Sequence, residues 1–166
     1  MPFEELDHPS DAYVHAWGQS WTEALGSALD AMYLQAYDEL PWQPVADRVP
    51  DLAKEEVVTD GGGEGEDDDE TMRWVEQDAE LVAFDLLNEA LFRLATRGVL
   101  LRLDHAAAYQ DPAEGGWVLS TRVHGVRPTG EPYGEVKAVT RHRLRMVIRQ
   151  EGGDGPTVQL WVIFDL

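Results

Sequence analysis

Residues 99–126 read VLLRLDHAAAYQDPAEGGWVLSTRVHGV, and this stretch decides the fold class. Two strand-like runs, Val99 to Tyr109 and Trp117 to Val126, flank the turn signals Asp111-Pro112 and Gly115-Gly116. Consecutive strands joined by a short turn pair antiparallel. The pattern continues downstream with Val136 to Arg149 and Thr157 to Asp165. Arg127-Pro128-Thr129-Gly130 and Gly152-Gly153-Asp154-Gly155-Pro156 punctuate these runs. Upstream, Tyr13 to Trp17 and Glu55 to Thr59 read as two more strands.

Helical spacing appears in two places. Ser20-Trp21-Thr22-Glu23 fits a capping box, with Ser20 as N-cap and Glu23 reaching back to it. Trp21, Leu25, Ala28, Leu29, Met32, Ala36 and Tyr37 then recur at helical intervals, with Gly26 on the other side and Pro41 helping to end the segment. A second helix starts at Asp78. Leu81, Phe84, Leu87, Leu91 and Leu94 form its stripe, and Val82, Leu86 and Ala90 widen it. Arg93 and Arg97 suit the negative end of its dipole, and Gly98 is a natural stop. Core packing accounts for both stripes. Two helices and about six strands predict a two-layer α+β sandwich: a mainly antiparallel sheet with both helices on one face.

The chain of 166 residues reads as one domain over 1–166. Asp60 to Glu70 contains only glycine and acidic residues, and it reads as a disordered, solvated acidic loop within that domain. The absence of cysteine excludes disulfides, thiolate metal sites and cysteine nucleophiles, and favours a cytoplasmic address. No apolar run is long enough to span a membrane, and Met1-Pro2-Phe3-Glu4-Glu5 lacks the features of a signal peptide. Thirteen basic residues stand against 32 acidic ones, a formal charge of −19. Such a surface repels phosphate backbones and anionic lipids, which argues against direct RNA binding. Lysine occurs only at Lys54 and Lys137; every other basic residue is arginine. Two explanations stay open: adaptation to high salt, or an arginine-favouring GC-rich genome plus one acidic insertion.

No P-loop, Rossmann fingerprint, Gly-x-Ser-x-Gly elbow or His-Glu-x-x-His motif is present. The histidines, at 8, 15, 105, 124 and 142, show no helical metal spacing. Two places still carry chemistry. The chain ends Leu160-Trp161-Val162-Ile163-Phe164-Asp165-Leu166 inside a predicted strand. Pinning that strand in a sheet would fix the Leu166 α-carboxylate beside Asp165. Like charges so close call for a hard cation such as Ca²⁺ or Mg²⁺, or for a proton; a solvated Asp at a strand end is the plainer reading. On the strand from Val136, strict alternation puts Lys137, Arg141, Arg143, Arg145 and Arg149 on one face. That face is either a solvated surface balanced by neighbouring acids or a docking patch for an acidic partner or a phosphate.

Several motifs together resemble the archease family. Leu6-Asp7-His8-Pro9-Ser10-Asp11, then Ala16-Trp17-Gly18 and a capped helix, resembles the family's opening. Leu86-Leu87-Asn88-Glu89 is similar to its second helix, and Glu135-Val136-Lys137-Ala138-Val139-Thr140-Arg141-His142 to its Val-Lys-Ala-Val-Thr-Tyr-His segment. The ending Val162-Ile163-Phe164-Asp165-Leu166 resembles its terminal Phe-Asp-Ile/Leu. Pro9-Ser10 and Arg141 depart from the pattern without removing a charged residue of the motifs.

The resemblance implies an accessory protein rather than a stand-alone enzyme. Its partner would be the RtcB-type RNA ligase of tRNA splicing, whose guanylylation and multiple turnover it would promote. The tRNA would be met only through the ligase. The resemblance also implies a bound divalent cation, Ca²⁺, held by Asp11 and Asp165 with Leu166 contributing through its backbone. It implies that Lys137, with His8 and His142 of the same motifs, serves ligase activation. Two competing readings remain: a metal-dependent phosphohydrolase using Asp11, Asp165 and Lys137, and an interaction module with no catalytic consequence.

Overall fold

The computed structural model describes residues 2–6, 11–43, 69–149 and 155–166. Among them are seven strands and two helices. In chain order they are β1 (Phe3–Leu6), β2 (Asp11–Gly18), α1 (Trp21–Tyr33), β3 (Glu70–Glu76), α2 (Ala79–Arg97), β4 (Leu100–Asp111), β5 (Gly116–Val126), β6 (Ala138–Ile148) and β7 (Val158–Asp165). The strands form a four-stranded sheet, β1-β2-β7-β6, and a three-stranded sheet, β3-β5-β4. Every pairing is antiparallel. The α+β antiparallel sandwich expected from sequence is therefore present. Its strands divide over two sheets, and each helix packs on strands of both: α1 on β2, β7 and β4, α2 on β6 and on β3, β4 and β5. No helix among the described residues is long and apolar enough to cross a membrane.

The core follows from alternation. In β2, Ala12, Val14 and Ala16 are buried while Asp11, Tyr13, His15 and Trp17 between them are half-buried. Val158, Leu160, Val162 and Phe164 of β7 are buried in register with that stripe. Apolar faces of α1 and α2 complete the cluster, with Leu25, Leu29, Met32, Leu86 and Leu87 fully or almost fully buried. The Tyr33 hydroxyl, inside this core, donates to the Leu101 carbonyl at 2.7 Å and so ties α1 to β4.

Helix boundaries come from local chemistry. The Glu23 N–H donates to Ser20 Oγ at 3.1 Å, as the capping motif predicts. The Glu23 carboxylate, however, accepts from the Gln19 N–H at 3.3 Å, one residue before the expected position. Gly18 is required by close approach, because a Cβ there would lie 2.6 Å from Glu23 Cβ and 2.8 Å from the Ala24 nitrogen. α1 ends at Tyr33; Ala36 and Tyr37 are buried in the turns that follow it. Asp78 is the N-cap of α2 but makes no side-chain cap hydrogen bond. Gly98 closes α2 in the left-handed conformation, φ 66°.

Two expectations need amendment, and a third lies outside the described residues. β1 and β3 were not foreseen, because β1 is four residues long and Glu70, Arg73 and Glu76 interrupt the apolar residues of β3. The predicted strand at 55–59 lies outside the described residues. So does the acidic run up to residue 68, but its last member, Glu70, is ordered as the first residue of β3. The cause is Arg93. This side chain is buried in α2 and its guanidinium forks onto the Glu70 carboxylate at 2.8 and 3.1 Å. Glu89, one turn back, accepts from Arg93 Nε at 3.3 Å. Arg93 thus serves as a buried tie between α2 and β3, beyond any dipole effect.

A buried guanidinium stripped of a carboxylate partner is costly. Glu70→Ala is expected to lower stability by about 1–3 kcal/mol in urea unfolding. Arg73→Ala, which breaks the exposed 2.6 Å pair with Glu114, is expected to cost less than Glu70→Ala in the same measurement.

Candidate functional site

Three adjacent strand ends meet at one edge of the four-stranded sheet. Asp11 opens β2, Asp165 closes β7 and Ala138 opens β6. The register sets them in one row: Asp11 opposite Asp165, and Asp165 opposite Ala138. The next pair inward, Ala12 and Phe164, faces the core. Alternation therefore turns Asp11 and Asp165 to the same outer face. Directly opposed residues of an antiparallel pair have Cβ atoms about 4.5–5.5 Å apart. Two carboxylates are thus neighbours on adjacent strands, although they stand 154 positions apart in the chain.

The other expected residues fall around this row. The Lys137 N–H donates to the Asp165 carbonyl at 2.7 Å, so its backbone is tied to the row while its side chain is exposed. Leu166 follows directly and is 39% exposed. His142 is exposed and lies in the stretch between Thr140 and Arg145 where β6–β7 pairing is interrupted, so the register does not bring it into the row. His8 lies outside the described residues.

A hard divalent cation fits this donor set. Asp11 and Asp165 offer carboxylate oxygens, the type Ca²⁺ and Mg²⁺ prefer. Thr140, opposite Ile163, is two pairs inward and so on the same face. Its Oγ1 is buried and has no hydrogen-bond partner among the described residues. A buried, orphaned hydroxyl requires a water or an ion.

The expected basic face of β6 is not formed. From Thr140 to Arg145 the chain advances five residues on β6 while β7 advances two. The odd difference reverses the alternation beyond it. Val139 and Met146 consequently both face the core, opposite Phe164 and Leu160. Arg143 takes φ 58° within the irregular stretch. The arginines are then split between faces. Arg141 lies over Phe84 of α2, 5.0 Å from the ring centroid. Arg145 lies over Trp161 on the outer face, also at 5.0 Å.

Strand register creates other polar groups that spacing in the sequence did not reveal. His15 stacks on Trp161 at 4.3 Å and hydrogen-bonds Glu4 and Gln159, each at 3.0 Å. His124 contacts Asp104 at 2.6 Å, with Asp69 close enough that their ligand atoms lie within 4.8 Å of one another. Asp104 sits where the β4–β5 register shifts, so no fixed interval in the chain announces this group. Beside β3, burial pushes the Asp85 carboxyl up to about 7, helped by a hydrogen bond to Glu76 and by its charge, while Arg141 pulls it back.

The fold and the strand-end site define a class: a small antiparallel α+β protein whose first long strand and last strand together present paired carboxylates. The chain belongs to the archease family. The family model, Archease protein family (MTH1598/TM1083), matches residues 3–166. Among solved structures, the chain is similar to the solution structure of Methanobacterium thermoautotrophicum protein 1598, with TM-score 0.65 and 23% identity over 99% of both chains. It is also similar to a crystal structure from Thermotoga maritima of an archease described as a possible chaperone. That match has TM-score 0.51 and 16% identity, covering 98% of this chain and 96% of that one. Both likenesses concern the fold. Comparison with curated proteins found no match.

Asp85 gives a pH signature with a definite sign. The folded state holds this proton more tightly than the unfolded chain, whose ordinary value is 3.8. Stability therefore falls as pH rises from about 4 to about 7, and the loss is complete above that. Asp85→Asn is expected to remove this loss. Urea unfolding should find the variant more stable than the parent by on the order of 1 kcal/mol at pH about 8 and no more stable at pH about 4.

Proposed function

We propose that this chain is an accessory protein of an RtcB-type RNA ligase. In this role it promotes ligase guanylylation and multiple turnover in tRNA splicing, in the cytoplasm. The observation that carries the reading is the row Asp11–Asp165–Ala138, with Lys137 anchored to Asp165 through its backbone. Family membership supports it, and so does the description of the Thermotoga relative as a possible chaperone, a protein that acts on another protein.

In this reading Asp11 and Asp165 hold a divalent cation, Ca²⁺, and Leu166 contributes through its backbone. The cation relieves the repulsion of the gathered carboxylates and supplies a fixed positive charge. Lys137 adds a compact, mobile ammonium next to it. Two positive groups at one strand end suit a phosphate or a carboxylate on the ligase. The formal charge of −19 keeps tRNA away from the rest of this surface, so RNA is reached only through the ligase. His8 and His142 contribute to ligase contact.

RNA joining by the cognate ligase, with substrate in excess, tests the proposal. Addition of this protein is expected to raise joining from about one turnover per ligase to many. Asp11→Ala and Lys137→Ala are each expected to cut that gain about tenfold or more. Activation that survives both substitutions would sink the mechanism. Metal-dependent phosphoester hydrolysis by this protein alone, lost in Asp11→Ala, would replace it with the enzyme reading.

A further inference from the structure

A cavity of about 200 Å³ opens between α1 and β4, in contact with the three-stranded sheet and separate from the strand-end row. One side of α1 supplies Glu23, Gly26, Ser27 and Asp30 to its wall, and β4 supplies Leu101 and Leu103. Trp42 and Arg102 complete the lining. The volume is below the 300–1,000 Å³ typical of drug-sized ligands, so it suits a single side chain or a small molecule.

Two features of the wall are not fully accounted for by the fold. The first is Gly26. It lies in the interior of α1, its φ is not positive, and a Cβ added there would meet nothing within 4 Å among the described residues. Neither backbone conformation nor packing requires glycine, and glycine weakens a helix relative to alanine. Its effect is to leave the cavity open.

The second is Asp30. Its carboxylate is half-buried and accepts from Trp42 Nε1 at 3.1 Å and Gln43 Nε2 at 3.3 Å. Those two bonds leave acceptor capacity on both oxygens. Burial raises the Asp30 carboxyl to about 6, so near neutral pH it is a half-buried negative charge. Among the described residues no ion pair closes on it: the guanidinium of Arg102 lies 5.5 Å from the Trp42 ring centroid and acts on Asp30 only through space, favouring its charged form. Beside it, Ser27 Oγ donates to the Glu23 carbonyl at 2.8 Å, which leaves its lone pairs available.

We propose that this cavity is a binding site for a primary ammonium group carried on a slender alkyl chain. Asp30 receives the ammonium, Ser27 accepts one of its remaining N–H bonds, and Leu103 packs along the stem. The three donors of an ammonium match acceptor-rich walls, and its compact head matches the volume. The acidic surface raises the local concentration of such a cation. The group comes from a free alkyl amine or from a lysine side chain of a partner protein. The site is independent of the ligase reading, because its residues lie outside the strand-end row.

Calorimetric titration of the full chain distinguishes the two sources. The probes are 1,4-diaminobutane and N-acetyl-lysine methylamide, in about 0.15 M salt, where diffuse attraction is screened beyond about 8 Å. Saturable one-to-one binding of at least one probe is expected. A tighter diamine assigns the site to free amines; a lysine derivative that binds equally or better assigns it to a partner's lysine. Asp30→Asn and Gly26→Leu are each expected to weaken binding about tenfold or more, the first by removing charge and the second by filling space. Gly26→Ala serves as the folding control, and its Tm is expected to rise by about 2–4 °C. Absence of saturable binding by both probes, or equal binding by the parent and both variants, would overturn the proposal.

Discussion

The antiparallel pairing of β2 with β7 is the constraint on which the rest depends. It joins residues 11–18 to residues 158–165 and supplies the two middle strands of the four-stranded sheet. Ala12, Val14 and Ala16 meet Phe164, Val162 and Leu160 on the buried face. A slip of one residue would turn those side chains to solvent and carry Asp11 and Asp165 inward. Core burial thus fixes the register, and the register sets Asp11 opposite Asp165. Stability and the carboxylate pair are two consequences of one alignment.

Much of this was legible in the sequence, for identifiable reasons. Alternation exposed β2, β4, β5 and β7, because each has a run of apolar residues at every second position or throughout. The Ser20 cap and the Gly98 stop located ends of α1 and α2 through local hydrogen bonding and backbone conformation alone. Asp11 and Asp165 were legible as candidates by resemblance, and Asp165 also by its place at the end of an apolar strand.

What escaped the sequence depends on contacts distant along the chain. β3 reads as polar, and it is held by the Arg93–Glu70 fork and by pairing with β5. The basic face of β6 failed because alternation assumes an unbroken ladder, and the irregularity before Arg145 reverses it. Asp104 with His124, and Asp30 with Trp42, come together through register and turns. The division into two sheets was equally hidden, since strand order is not a local property.

The central proposal is that the β2–β7 alignment builds a cation site from Asp11 and Asp165. Thermal unfolding of the full chain across a Ca²⁺ titration, at constant ionic strength, tests it most directly. A ligand bound only by the folded state raises Tm in a saturable way. The account predicts that rise in the parent protein and its loss in both Asp11→Asn and Asp165→Asn. A Tm that Ca²⁺ does not move, or a rise that persists unchanged in both variants, would contradict it.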